Sequence, residues 1–256
     1  LRFNEWIETG YRCELSTMEC LKSLTYFHNE TVNILTHGIP LIYLLSHYNH
    51  FDMPWNQITV PILPHFHLIS CFIPWIGSSF YHIFMSHKAG EKVYNTLLEW
   101  DVIGIWFTQS FGASTTIYTS VSQYYLSFRV IFIGIYVILS LRALRASVVA
   151  ENQWKRPISF LYLVIMRIFA FVFRLHSNSI TMEHYKMQLI HVSMQEIWPI
   201  LGAFISATRI PERFLPGYFD YIFNSHNIMH CLVIFGAIHM HFAAYNDLIW
   251  LSANSN

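Results

Sequence analysis

Within the stretch YIFNSHNIMHCLVIF, residues 221–235, His226 and His230 stand four apart in an otherwise apolar run. Residues four apart share one face of a helix, so the two imidazoles can address a single metal ion. Taken alone, the spacing serves packing and interhelical hydrogen bonding equally well. Further ligand types raise the metal reading: His82 in IGSSFYHIF closes the second apolar segment, while Asp101 in LLEWDVIGI and the histidine pair open the third and the seventh, so in an alternating bundle all four fall on one side of the membrane. Three imidazoles and one carboxylate at a common depth fit Zn2+ with three protein nitrogens and an open fourth position, the arrangement of catalytic rather than closed structural zinc. Asp101 either binds the ion directly or holds its water, and the sequence leaves both open. Ser78 precedes His82 by four residues, so its hydroxyl shares that face and can orient the ligand or bond a substrate oxygen. Glu30, Asn33 and His37, in HNETVNILTHG, follow at i, i+3 and i+7 along one stripe. A polar stripe in an apolar segment must turn inward, and this one is expected to brace the ligands and tie its helix to the neighbours.

The elements that must position these groups are membrane-length. Of 256 residues, 54% are hydrophobic and only 12% are charged, against roughly 25% charged in a soluble domain. Apolar segments of about 20 residues, the length that crosses a hydrocarbon core of about 30 Å, occupy approximately 29–48, 60–86, 98–118, 126–146, 157–176, 188–207 and 223–245. The expected fold is all-α, a seven-transmembrane helix bundle. A segment 1–28 precedes the transmembrane domain at 29–245, and a short tail at 246–256 follows it. The opening LRFNEWIETGYRCELSTMECLKSL is polar and mixed rather than leader-like, so insertion is expected to be driven by the internal apolar segments.

Basic residues set the expected orientation. Arg2, Arg12, Lys22, Lys88, Lys92, Arg142, Arg145, Lys155, Arg156, Arg209 and Arg213 fall to one side, and only Arg129, Arg174 and Lys186 to the other. The positive-inside rule then places the amino terminus in the cytosol, the carboxyl terminus on the lumenal or extracellular side, and the zinc site near the cytosolic face. Arg167 falls inside the fifth segment, where a charge must face a partner or a water-filled cavity. It is expected either to pair within the bundle or to serve function.

Other features carry less chemistry. His47, His50, His65, His67, His239 and His241 gather toward the opposite face, at segment ends where histidine suits the interface. They could build a second metal site, but interfacial packing is the favoured reading. Cys13, Cys20, Cys71 and Cys231 lack the close pairs of a thiolate zinc site and are expected to be free small packing residues. A formal net charge of zero excludes a basic face for nucleic acid.

The pattern Glu30-x-x-Asn33-x-x-x-His37, then Ser78-x-x-x-His82 and Asp101, then His226-x-x-x-His230, resembles the three motifs of the progestin and adipoQ receptor family, relatives of the hemolysin III proteins and alkaline ceramidases. The stretch RIPERFLPGYFDYIFNSHNIMH, 209–230, is similar to the family's sixth loop and seventh helix, and the resemblance covers essentially the whole chain. It implies seven helices with a cytosolic amino terminus, zinc on His82, His226 and His230, and Asp101 reaching the metal through water. With KAG in the loop, the chain between His82 and Asp101 is slightly longer than in the adiponectin receptors, while Asp101-x-x-Gly104 keeps the family context.

The activity expected from these features is zinc-dependent hydrolysis of a lipid amide, ceramide to a sphingoid base and a free fatty acid. Asp101 would take the proton of a zinc-activated water and pass it to the leaving amine, and Ser78 would donate to the oxyanion. The rival expectation is a receptor or lipid-sensing module in which the same ion is structural. A channel ranks below both, because apart from Arg167 no row of polar residues continues through the segments. Membrane lipids and a ceramide-like substrate are the expected partners. The expected location is a Golgi or other secretory-pathway membrane or the plasma membrane.

Overall fold

The structure, a computed structural model, describes residues 4–47, 53, 55, 58–150, 154–176 and 182–254. Among these it is helical, with no strand beyond an isolated bridge between Leu15 and His87. A short helix α1 (Thr17–Lys22) begins at a capping box, in which the Ser16 hydroxyl meets the Glu19 amide and the Glu19 carboxylate meets the Ser16 amide. Helices α2 (Thr31–Ser46), α3 (Ile62–Phe84) and α4 (Glu91–Phe107) overlie the first three apolar segments. A π-helical turn (Thr108–Gly112), α5 (Ser114–Val121), α6 (Leu126–Val149), α7 (Lys155–Ser159), α8 (Leu161–His176), α9 (Met182–Thr208) and α10 (Ser225–Ala253) follow. Helix α6, the Gln188–Thr208 part of α9 and α10 are each long and apolar enough to cross a membrane, whereas α2 is apolar but shorter. The chain is a multi-pass membrane protein.

The chain forms two compact units. One comprises Leu1–Tyr48, Pro74–Gly104 and Trp198–Ile234, and the other Asn49–Ile73, Ile105–Ile197 and Phe235–Asn256. In the first unit, the N-terminal segment is held by buried carboxylates of the loop between α9 and α10. Asp220 accepts the amides of Glu8 (3.0 Å) and Thr9 (2.7 Å) and the Thr9 hydroxyl (2.6 Å). Glu212 accepts the side-chain amide of Asn4 at 3.0 Å. Nothing local in the sequence joins residues so far apart.

The second unit has an apolar core in which Trp106, Ile117, Phe132, Leu163 and Met166 pack together. Polar groups run through it. The segment expected as one span over 98–118 is interrupted by the π-helical turn, whose wider pitch frees backbone carbonyls. The Tyr136 hydroxyl reaches the Gln109 and Ser110 carbonyls at 3.0 and 3.1 Å, and Arg167 Nη1 reaches Gln109 O at 2.9 Å. Pro74 denies the Ser70 carbonyl its helical partner, and the Thr108 hydroxyl donates to that oxygen at 3.3 Å.

One expectation is revised here. The tail placed at 246–256 is helix through Ala253, because Leu248 and Leu251 are buried and the carboxylate of Asp247 accepts from Arg174 at 2.7 Å. Arg167 is not the only buried polar group of the apolar segments. Arg174, Asp247, Gln188, Ser120 and Thr116 form a second buried network, in which Arg174 Nε meets Ser120 Oγ at 3.2 Å and Gln188 donates to Asp247.

Candidate metal centre

Helix α10 starts where the chain needs it to. Asn224 caps it by accepting the Asn227 amide at 3.0 Å. The buried Glu212 carboxylate accepts the Ser225 amide at 2.7 Å and the Ser225 hydroxyl, placing negative charge at the positive end of the helix. His226 and His230 therefore leave the first two turns of a fixed helix. At the opposite polarity, Arg12 fixes the end of α3. Its guanidinium donates to the carbonyls of His82 (2.5 Å) and Ile83 (3.0 Å) and to Ser23 Oγ (2.8 Å), filling orphan C-terminal acceptors. Burial lowers the Arg12 pKa from its ordinary value, and the Glu30 charge offsets part of this.

From these two helix ends, His82, His226 and His230 present ligand atoms that all lie within 4.8 Å of one another. His82 and His230 are 2% and 1% exposed, and His226 is half-buried. The hydrogen-bond network assigns the tautomers. Glu30 Oε2 is 2.8 Å from His82 Nδ1, and a carboxylate can only accept, so Nδ1 carries the proton. The Thr36 hydroxyl donates to the backbone carbonyls of Val32 and Asn33, so toward His230 Nδ1, 3.0 Å away, it accepts. Both rings then turn an Nε2 lone pair inward. His82 Nε2 is buried without a hydrogen-bond partner, while His230 Nε2 and His226 Nε2 face each other at 3.2 Å. Two nitrogens bound to one tetrahedral ion at about 2.05 Å would be roughly 3.3 Å apart. The donor set thus fits a metal ion.

The polar stripe on α2 meets this cluster. Asn33 Nδ2 donates to Glu30 Oε2 at 2.7 Å, and Asn33 Oδ1 accepts from Asn227 of α10 at 2.6 Å. His37 stacks on His230 with ring centroids 3.8 Å apart and packs edge-on against Trp75. Ser78 Oγ is hydrogen-bonded to His37 Nδ1. Asp101 is not among the side chains within 4.8 Å of one another. Its backbone is drawn close to α3 by Gly77, where an added Cβ would lie 2.8 Å from Trp100 O and 3.3 Å from Asp101 Cα. Just outside the centre, His28 Nδ1 accepts the Glu30 amide at 3.1 Å. Burial, then the Arg12 charge, pushes the His28 pKa down to about 4 against the pull of Glu30.

The sequence reading missed Arg12, Thr36, Glu212, Asn224 and Asn227. Of these only Asn224, a cap residue before an apolar run, carried a local signal.

The remaining candidates lie away from this cluster. Arg167 is 7% exposed and meets Glu196 Oε2 and Gln109 Oε1, both at 2.7 Å. His67 Nε2 lies 3.0 Å from His241 Nδ1 and 3.5 Å from Cys71 Sγ, and His191 pairs with His239 at 2.9 Å. His65 packs beside Trp55, His47 beside Tyr43, and His50 lies outside the described residues. All four cysteines are free, and Cys13 and Cys231 are exposed rather than packed in a core.

Comparison with known proteins extends the picture. The family profile described as Haemolysin-III related matches residues 25–242. The human protein named Progestin and adipoQ receptor family member 4 is 33% identical over 98% of this chain and 90% of its own length. Heptahelical transmembrane protein 1 of Arabidopsis thaliana is 26% identical over 98% of this chain and 79% of its own. Membrane progestin receptor gamma-B of Danio rerio is 27% identical over 90% of this chain and 74% of its own.

Proposed function

Because this chain belongs to the Haemolysin-III related family and, within it, to the progestin and adipoQ receptors, we propose that it is a lipid-sensing membrane receptor organised around zinc on His82, His226 and His230. What supports the zinc assignment is that Glu30 and Thr36 occupy Nδ1 of His82 and His230, leaving each Nε2 as an acceptor, and that the ligand atoms of these two rings and His226 lie within 4.8 Å of one another. The receptor assignment draws on relatives named as receptors, one of them for progestin. In this account the ion joins α3 to α10, Glu30 and Thr36 bind α2 to its ligands, and occupancy of a nearby lipid site shifts how these helices are held. Seven spans with a cytosolic amino terminus agree with the basic-residue distribution and with the heptahelical name of the plant relative.

A second reading, hydrolysis of a ceramide-like amide, is favoured by one observation: the cluster supplies three protein ligands, which leaves a tetrahedral ion one position short. Bound there, zinc would supply Lewis acidity, polarising an amide carbonyl and lowering the pKa of a water toward neutrality. Asp101 would accept the proton from that water and return it to the leaving amine. Ser78 would have to exchange its bond to His37 for one to the carbonyl oxygen, and the surrounding apolar helices would take the acyl chain.

One assay separates the two. Zinc-loaded wild type and Asp101→Ala, at equal metal content, are compared for fatty-acid release from ceramides. No release by the folded wild type supports the receptor. Release that disappears in Asp101→Ala with zinc retained would overturn it in favour of the hydrolase.

A further inference from the structure

The loop between α9 and α10 places its charged and apolar groups opposite to the way a water-facing loop does. Both of its acids are buried: Glu212 accepts from Asn4 and Ser225, and Asp220 from the amides of Glu8 and Thr9. Phe214, Tyr218 and Phe223 are instead 68%, 77% and 66% exposed, and Leu215, Tyr221 and Ile222 are exposed beside them in the chain. Single exposed apolar residues are ordinary, but so dense a set marks a contact surface.

The exposure is held by the backbone. Gly217, at φ +77°, gives its amide to the Trp6 carbonyl at 3.2 Å, and Asp220 pins the loop to the N-terminal segment three residues later. Phe223 sits at φ +61°, in the left-handed region that bulky residues rarely adopt. The chain accepts this strain and leaves the ring outside.

The position of the loop says what covers it. Helix α10 starts at Ser225, two residues past Phe223, and its 29 residues extend about 43 Å at the usual helical rise. A hydrocarbon core is about 30 Å thick and a bilayer with its headgroups about 40–45 Å. A helix of that length runs on into the headgroup layer, so Phe223 stands at its entry. Phe27, four residues before the apolar helix α2, stacks on Tyr221 with ring centroids 5.7 Å apart and is 57% exposed. Two apolar helices thus begin beside one aromatic surface. The exposed Arg213 lies with its guanidinium carbon 5.7 Å from the Phe214 ring centroid and gives one N–H to the Thr208 carbonyl at 3.4 Å, so its fork has further donors for an anion.

We propose that residues 213–223 form an interfacial anchor, with Phe214, Tyr218 and Phe223 seated in the headgroup layer of the bilayer that α10 crosses and Arg213 on a lipid phosphate. Aromatic rings favour this level, where one part of the ring is apolar and the other wet. A lipid surface, rather than a soluble protein, is indicated by the two helix starts, which hold the loop at headgroup depth whatever else is bound.

The test is spin-label accessibility in the full-length protein, reconstituted in phosphatidylcholine nanodiscs after the exposed Cys13 and Cys231 are replaced by serine. Labels at Phe214→Cys, Tyr218→Cys and Phe223→Cys are each compared with one at Ala89→Cys, in the exposed polar loop between α3 and α4. Collision with oxygen, which partitions into lipid, relative to collision with a water-soluble nickel chelate should be severalfold higher at the three loop positions than at Ala89. Arg213→Gln should lower that excess at position 214. The three positions are read separately, so one variant that does not fold leaves the others to decide. Ratios no higher than at Ala89 would overturn the anchor, and an excess unmoved by Arg213→Gln would overturn the phosphate contact.

Discussion

Glu30 Oε2 lies 2.8 Å from Nδ1 of His82, so a carboxylate at the start of α2 fixes the ring of a proposed metal ligand on α3. A partner of this kind sets tautomer and orientation and raises ligand basicity. Its loss typically costs ten- to a hundredfold in metal affinity. Glu30→Gln, which keeps the shape but removes the charge, should weaken zinc binding by roughly that factor in a chelator competition. Unchanged affinity would show that Glu30 braces the fold rather than the metal.

Gly77 concerns a different contact, because it lets α3 approach the backbone of α4 at Trp100 and Asp101. An added Cβ would lie 2.8 Å from Trp100 O, a backbone atom that cannot swing aside. Gly77→Ala should therefore lower stability by about 1–3 kcal/mol, the usual range for overpacking. Zinc content should be preserved, since His82, His226 and His230 take no support from that contact. Thermal unfolding with parallel metal analysis reads both, and a variant as stable as wild type would contradict the close approach.

Arg174 and Asp247, 2% and 0% exposed, form a buried pair 2.7 Å apart in the second unit. Removing one partner strands the other charge, a loss of about 3–5 kcal/mol, whereas replacing both with apolar residues is often close to neutral. Arg174→Met and Asp247→Leu should each lower the unfolding midpoint sharply, and the double variant should recover most of the loss. A double variant as unstable as the two losses combined would mean that the pair is not coupled.

His28 gives a pH signature outside the spans. Its pKa is about 4 in the folded protein against 6.5 as the ordinary value. Between those values the unfolded chain binds a proton that the folded one does not, so this contribution is complete above pH 6.5 and is lost as pH falls toward 4. With zinc chelated in both proteins, wild type should lose stability more steeply over that window than His28→Asn, whose side-chain oxygen can still accept the Glu30 amide. Parallel curves would contradict the burial of a neutral His28.

Much of this architecture is readable from residue order. Helices overlie all seven apolar segments, and the imidazoles chosen by spacing and depth, His82, His226 and His230, are the ones the structure gathers within 4.8 Å. What escapes is long-range or compensated. Asp247 reads as the start of a polar tail because hydropathy sees the carboxylate and not Arg174, which neutralises it. The π-helical turn at Thr108–Gly112 is invisible to periodicity, since extra residues in one turn barely disturb an apolar pattern. Arg12, Glu212 and Asp220 act only after the N-terminal segment folds onto loops distant in sequence, so no local spacing announces them.

The central claim is that His82, His226 and His230 hold one zinc ion. Metal analysis of the purified protein tests it most directly, comparing wild type with His82→Ala, His226→Ala and His230→Ala after equal zinc loading and dialysis. The account predicts about one zinc per chain in wild type and a marked loss in each variant, since three protein ligands leave little redundancy. Zinc absent from the folded wild type, or retained in full by the variants, would contradict it.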